Sequence, residues 1–322
     1  MTQLSQQIFD HYQTRKTKQQ KAAFRSLITE ELAKQGITVR EEVSGKWIKH
    51  HNLIIGDIPS SQLILTAHYD TAAVLPIPNL IFPKNWLMNL VYGLGLFLLL
   101  SLGYRAVSSL LHQFLSPRTA LAVMLLLMIG LMAMLFVGRA NQHTANDNTS
   151  GVITLLEILD RIELDQARVS FVLFDNEELG LLGSSAFRKK YHQLLQDKVV
   201  INFDCVSDGD HLFFVQSKTA RPEVEPFLQA AFEDQNDKKM VITTSATTLF
   251  PSDHWSFIKH IGVMALRRRP IIGYYIPRLH TARDTVFDQT NIRLLAEGFE
   301  HFITQAHRST HGQSRTMTLP RL

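Results

Sequence analysis

Two stretches of this chain, residues 86–104 (WLMNLVYGLGLFLLLSLGY) and 119–138 (TALAVMLLLMIGLMAMLFVG), contain no charged side chain apart from their flanks. As helices, each would be about 30 Å long, the thickness of a bilayer's hydrocarbon core. Helices that are apolar on every face are costly to cover in a chain of 322 residues. The pair therefore reads as a transmembrane hairpin, against the alternatives of two buried core helices or an apolar lid. Trp86, Tyr92 and Tyr104 suit the interfaces, and Lys84, Arg105, Arg118 and Arg139 flank the runs as charged stops. A hairpin returns the chain to the side it left. Residues 1–83 and 141–307 are thus expected to form one domain around the insertion 84–140, followed by a polar, flexible tail at 308–322.

A net charge of only +4, from scattered basic residues, argues against a nucleic-acid-binding surface. The single cysteine, Cys205, excludes an intramolecular disulfide and fits a reducing compartment. Next to Asp204 on a strand, it points to the opposite face, into the core. Lys84 with Arg139 balances Arg105 with Arg118, so the positive-inside rule leaves the orientation of the hairpin open. The polar stretch Met1–Lys21 lacks the apolar core of a signal peptide, and the domain is expected on the cytoplasmic side.

Outside the hairpin the pattern is α/β. Residues 5–35 read as one helix whose apolar stripe includes Ile8, Phe24, Leu27, Ile28 and Leu32, with Arg15 outside the stripe. Strands follow at 37–43, 47–55 and 63–67. After the hairpin come a helix at 150–162, a strand at 169–174, a helix at 182–195 and strands at 199–203, 212–215 and 262–266. An amphipathic helix marked by Ile292, Leu295, Phe299 and Phe302 closes the order.

Three of the apolar strands run into residues that bind metals or move protons. The first leads to His68, the second to Asp175-Asn176-Glu177-Glu178, and the third to Asp204; open α/β sheets gather their sites at such carboxyl strand ends. His68 and Asp70, two apart, face one side of an extended backbone, so Asp70 can orient one imidazole nitrogen while the other binds metal. The adjacent Glu177 and Glu178 suit two jobs, one carboxylate ligating while its neighbour takes a proton from water. Asp147 lies in Asn146-Asp147-Asn148-Thr149-Ser150-Gly151, ahead of a helix-spaced apolar run, and a carboxylate can serve two divalent cations with its two oxygens. Gly151 there permits a close backbone approach or an unusual φ. Singly, these residues are a helix cap, a strand-end histidine and a solvated acidic turn; their joint occurrence is not explained that way. His254 is a candidate for a substrate pocket, His50, His51 and His143 read as surface or loop residues, and Arg267-Arg268-Arg269 reads as a solvated strand end that could also meet a carboxylate or anionic lipid headgroups.

In His68-Tyr69-Asp70-Thr71, the Asn146–Gly151 stretch, Asp175–Gly180, Asn202-Phe203-Asp204, Ser252-Asp253-His254 and His280–Thr285, the chain resembles the zinc aminopeptidases of metallopeptidase family M28. The resemblance implies a three-layer α/β/α zinc-exopeptidase-like domain with a mixed central sheet. It implies one zinc held by His68, Asp147 and Asp204 and a second held by Asp147, Glu178 and His280. Glu177 would be the general base toward a metal-bridging water, with Asp70 orienting His68 and with Asp253 and Asp284 supporting the site. Carboxylate and imidazole ligands without thiolate suit two Zn2+ and also tolerate Mn2+ or Co2+. The implied partners are a peptide or small protein with a free N-terminus and the lipid bilayer. A related exopeptidase family carries an inserted domain before its last histidine ligand, but about seventy-five residues between Asp204 and His280 leave no room for one. Single-zinc glutaminyl cyclisation and a non-catalytic membrane scaffold are the alternatives on the same fold. The departure from the family pattern is the hydrophobic insertion between His68 and Asp147.

Overall fold

The computed structural model describes residues 1–315 except 76, 78 and 236. Helices α1 (Gln3–His11) and α2 (Lys18–Lys34) stand where the apolar stripe predicts one helix. The break has a local cause. Thr17 accepts the Gln20 amide at 3.2 Å while the Gln20 side chain accepts the Thr17 amide at 3.0 Å, a reciprocal cap that starts a new helix. Arg15, expected outside the stripe, is fully buried in the turn between them.

Strands β1 (Val39–Ser44), β2 (His50–Ile55), β3 (Leu63–His68), β4 (Val169–Phe174), β5 (Val199–Phe203), β6 (His211–Gln216), β7 (Lys239–Thr244) and β8 (His260–Arg269) form a mixed sheet in the order β1-β2-β4-β3-β5-β8-β6-β7. A short β9 (Gly273–Tyr275) pairs with the far end of β8. β3 runs parallel to β4 and β5, and β8 runs parallel to β5, so these four strands end toward one edge of the sheet. β2 is antiparallel to β4 and therefore begins at that edge.

Helices α5 (Gly151–Leu159), α6 (Leu164–Ala167), α7 (Leu182–Tyr191), α8 (Arg221–Ala231) and α9 (Gln289–Arg315) complete the domain with the hairpin helices α3 and α4 described next. The period of two along each strand divides the core. Leu65, Phe171 and Ile201 pack with side chains of α1, α2, α5, α8 and α9, whereas Ile64, Val172 and Val200 pack with Phe187 of α7 on the other face. Each such buried side chain contributes about 1.5–3 kcal/mol, which is what holds three layers together. Cys205 lies buried in a third cluster with Phe213 and Met264. α9 continues past residue 307, where the sequence suggests a tail, and residues 316–322 of that tail lie outside the described ones.

α3 spans Trp86–Phe114 and α4 spans Pro117–Val137. α3 continues beyond Arg105 because a charge that ends an apolar run does not end a helix. α4 begins where Ser116 accepts the Thr119 amide at 3.3 Å and Pro117 fills the first turn. Neither is a core helix: no residue of α3 is buried, and only Ala120 and Met124 of α4 are. By length and composition both are able to cross a bilayer. The stems of the insertion are tied together, with the Val74 amide on the Arg139 carbonyl at 2.9 Å and the Asn141 amide on the Ala72 carbonyl at 3.1 Å.

Candidate metal centre

The carboxyl ends of β3, β4 and β5 deliver His68, the Glu177–Glu178 loop and Asp204 to one place. His68 is the last residue of β3, and the Tyr69 amide still donates to the Phe174 carbonyl at 2.9 Å, which fixes β3 against the end of β4. Asp147 arrives from the irregular turn Ala145–Ser150, whose residues are all buried and whose Asp147–Asn148 peptide is cis. The flanking amides and asparagines hold this turn. Asp284 accepts the Asn146 amide at 2.8 Å and the Asp147 amide at 2.9 Å. The Asn146 side-chain oxygen accepts the amides of Ser207 and Asp208, each at 2.8 Å, and Asn148 Nδ2 donates to the Phe203 carbonyl at 2.9 Å. Gly151 has an ordinary φ of −64°, so its role is close approach: a Cβ there would lie 2.4 Å from the Phe203 carbonyl oxygen.

The two oxygens of Asp147 face different partners. Oδ1 is 3.3 Å from His68 Nε2, and that nitrogen is 3.6 Å from Asp204 Oδ1. Oδ2 is 3.1 Å from His280 Nε2, which is 3.3 Å from Glu178 Oε2. His68-Asp147-Asp204 and Asp147-Glu178-His280 each bring their ligand atoms within 4.8 Å of one another, and so does His68-Glu177-Glu178. Ligands at about 2.0–2.1 Å from one tetrahedral zinc stand about 3.3–3.4 Å apart, close to these separations. Asp204 Oδ1 and Glu178 Oε1 are buried without a hydrogen bond, while Asp204 Oδ2 accepts from Ser252 Oγ at 2.6 Å. Orphaned carboxylate oxygens aimed inward, imidazole nitrogens at ligand spacing and no thiolate fit divalent zinc.

Charge gives the same answer. Burial, with Asp147 and Asp70 nearby, pushes the Glu178 carboxyl up to about 8, against the pull of His280. Burial opposes protonation of His280, but Glu178 and Asp147 outweigh it and raise the imidazole to about 9. Burial also raises Asp147, yet hydrogen bonds with His280 and His68 hold it below the usual carboxylate range. Burial and the Asp147 charge raise Asp284 to about 7. So many carboxylates around two imidazoles make an electrostatic environment that suits a cation.

The residues expected to ligate or act in catalysis, His68, Asp70, Asp147, Glu177, Glu178, Asp204 and His280, therefore converge. Asp70 Oδ1 is paired with His68 Nδ1 at 3.5 Å, longer than a hydrogen bond, and its two oxygens also accept the amides of Glu177 and Glu178. His254 is fully buried, stacked on Phe250 at 5.4 Å between ring centroids, and both ring nitrogens lack a hydrogen bond. It is a buried core residue. His50 is buried as well, with Nδ1 3.2 Å from Asn176 Nδ2.

Arg15 carries no sequence signal of its role. Its guanidinium donates to the carbonyls of Tyr69 and Tyr12 and, at 3.1 Å, to Thr149 Oγ1, so it ties the α1–α2 turn to the segments carrying His68, Asp70 and Asp147. Burial lowers it to about 10, a shift limited by the Asp70 and Asp147 charges, so it stays charged at neutral pH. A cleft of ≈ 740 Å³ reaches Asp70 and Glu178 and is walled by Lys16, Lys21, Trp47 and Phe136.

The chain belongs to peptidase family M28, whose sequence pattern matches residues 133–303, more than half of its length. Asp147, Glu177, Glu178, Asp204 and His280 lie inside that match, and His68 and Asp70 precede it. No curated protein matches the chain. Its fold is shared with a glutaminyl cyclase of Porphyromonas gingivalis (16% identity, 94% of this chain and 95% of that one, TM-score 0.57). It is shared equally with a Zn-dependent exopeptidase of Parabacteroides distasonis (15% identity, 93% and 94%, TM-score 0.57). The LapA aminopeptidase of Legionella pneumophila is similar over 95% of this chain and 68% of its own (14% identity, TM-score 0.52). A peptidase of family M28, with a mixed sheet, flanking helices and a fold shared with a Zn-dependent exopeptidase, is thus the class of this protein.

Proposed function

We propose that the protein is a membrane-anchored, dinuclear zinc aminopeptidase that hydrolyses the first peptide bond of peptides or small proteins with a free N-terminus. The divided use of Asp147 carries this reading: Oδ1 faces His68 and Oδ2 faces His280. His68, Asp147 and Asp204 would hold one zinc, and Asp147, Glu178 and His280 the other. When bound, the ions supply Lewis acidity to a scissile carbonyl and make water a stronger acid.

The remaining chemistry belongs to the chain. The Glu177 carboxylate takes a proton from the attacking water and returns it to the leaving amine nitrogen. Burial and the neighbouring Glu178, Asp253 and Asp204 charges raise its proton affinity above that of an ordinary glutamate, against the pull of His68, which suits a group that must hold a proton between two transfers. Asp70 fixes the backbone from which Glu177 and Glu178 project. α3 and α4 anchor this domain in a bilayer with both halves on one side, which we take as the cytoplasmic side; protease protection of the domain in sealed inverted vesicles would contradict that orientation.

A second reading, acyl transfer within an N-terminal glutamine, is favoured by the likeness of fold to glutaminyl cyclases. The second ligand set around His68 and Asp204 supports the hydrolase instead. The test is turnover of a panel of aminoacyl amides by detergent-purified protein. Glu177→Gln should lower it by about 10²–10⁴-fold with metal content unchanged. Ammonia release from glutaminyl peptides without amide cleavage would support the cyclase, and a biological activity untouched by Glu177→Gln would support a scaffold.

A further inference from the structure

We infer that the catalytic domain lies against the membrane surface through two loop tips besides the hairpin, and that these tips enter the headgroup region of anionic lipids. This rests on the membrane-anchored reading above. The topology brings the parts to one edge. The insertion carrying α3 and α4 leaves after β3, at the sheet edge where β3, β4 and β5 end. β2 starts at that edge, so the β1–β2 turn, residues 45–49, lies there too. β8 is level with the end of β5 at Val263, paired with Phe203, and runs on six residues to Arg269 before turning into β9.

Each tip presents an apolar side chain to solvent with cations beside it. In the β1–β2 turn Trp47 is 90% exposed and Ile48 is 49% exposed, between Lys46 and Lys49. In the β8–β9 turn Ile271 is 95% exposed, beside Arg268 and Arg269. Ile271 has a φ of +73°, a conformation that disfavours a β-branched residue, so a protruding isoleucine is held there at some cost. Apolar and aromatic tips flanked by Lys and Arg match the interfacial zone of an anionic bilayer in shape and in charge.

Both tips are also placed beside the membrane ends of the hairpin. Asn85, which caps α3, donates from Nδ2 to the Ile272 carbonyl at 3.1 Å. Trp47 and Ile48 share the walls of the ≈ 740 Å³ cleft with Phe136 and Val137 at the end of α4. The point where each helix leaves the domain thus has one exposed tip next to it. The cleft that reaches Glu178 then opens at headgroup level, where a substrate held by the bilayer can enter from the side.

The experiment uses full-length protein in vesicles of phosphatidylcholine with phosphatidylglycerol, labelled with an environment-sensitive fluorophore at one introduced cysteine; the native Cys205 is buried. Labels at Trp47→Cys and Ile271→Cys are compared with Leu194→Cys, exposed on the loop that enters β5 from the opposite edge, and with Leu98→Cys in the middle of α3. Lipids carrying a quencher near the headgroup should quench positions 47 and 271 about twofold or more above position 194, and replacing the anionic lipid by phosphatidylcholine should reduce that quenching. Mid-chain quenchers should act on position 98. Quenching at 98 without excess at 47 and 271 overturns this inference and leaves the anchoring intact, whereas no quenching at 98 overturns both.

Discussion

Asp70 Oδ1 accepts the amide of Glu177 at 2.9 Å, and its other oxygen accepts the amide of Glu178 at 3.2 Å. One carboxylate thereby sets the backbone of the two acidic residues to which the proposal gives opposite jobs. Asparagine offers a single acceptor oxygen and turns an N–H toward the second amide. Asp70→Asn is expected to lower kcat by about 10–100-fold, because outer-shell partners of metal sites carry effects of that size. Steady-state kinetics with zinc content measured on the same samples checks this, and an unchanged kcat would show that the clamp is dispensable.

Gly151 stands where a Cβ would lie 2.3 Å from Asn148 Oδ1 and 2.4 Å from the Phe203 carbonyl oxygen. The second neighbour is backbone and has no rotamer to escape into. Gly151→Ala should destabilise the domain by about 1–3 kcal/mol or more and displace the turn that carries Asp147. A chemical denaturation midpoint and residual activity like those of the parent protein would show that the turn adapts.

Arg15 is fully buried and serves Tyr12, Tyr69 and Thr149 from one guanidinium. Arg15→Met keeps the length and leaves those carbonyls unsatisfied while Asp70 and Asp147 lose a nearby cation. A loss of about 3 kcal/mol follows for a buried, charge-assisted network of this kind. Thermal melts in detergent read it directly, and a shift within error of zero would mean that water replaces the guanidinium.

His254 has the opposite problem, since burial holds its imidazole well below the usual histidine range, with His260 adding to the shift. The folded state therefore keeps the ring neutral, and the unfolded state binds the extra proton between the two pKa values. Its contribution is fully present above an unfolded pKa of about 6.5 and is lost as pH falls below it. The wild-type protein should lose stability from pH 7 toward pH 5 more steeply than His254→Phe. Parallel pH profiles of the two proteins would refute this assignment. Gly262 leaves room for that ring, 2.8 Å from where a Cβ would sit, so Gly262→Ala serves as a packing control.

The strand-end residues were legible because β3, β4 and β5 are apolar runs buried along their whole length, β3 ending in His68, β5 passing into Asp204 and β4 into the loop that carries Glu177 and Glu178. His280 was not legible that way. It sits on a loop at φ +56°, and only the family likeness picked it out. The burial of Arg15 depends on acceptors that the fold brings together from Tyr12, Tyr69 and Thr149, so no local pattern announces it. α8 is masked by Pro222 and Pro226, which read as helix breakers although the first sits in the opening turn. β7 is a half-exposed edge strand without alternation, and β9 has three residues, too few for any periodicity. Runs that are apolar on every face leave the two hairpin helices largely unburied, and the first continues past its apolar run because Arg105 ends hydrophobicity and leaves the helix intact.

Whether Asp147 serves two ions is read from the count of zinc per chain in detergent-purified protein. Two zinc ions are expected in the wild type, and a lower count together with lost amide cleavage in Asp147→Asn, whose side chain keeps only one of the two oxygens that face His68 and His280. One zinc per chain in an active wild-type protein, or two retained in Asp147→Asn with full activity, would contradict the bridging role of Asp147.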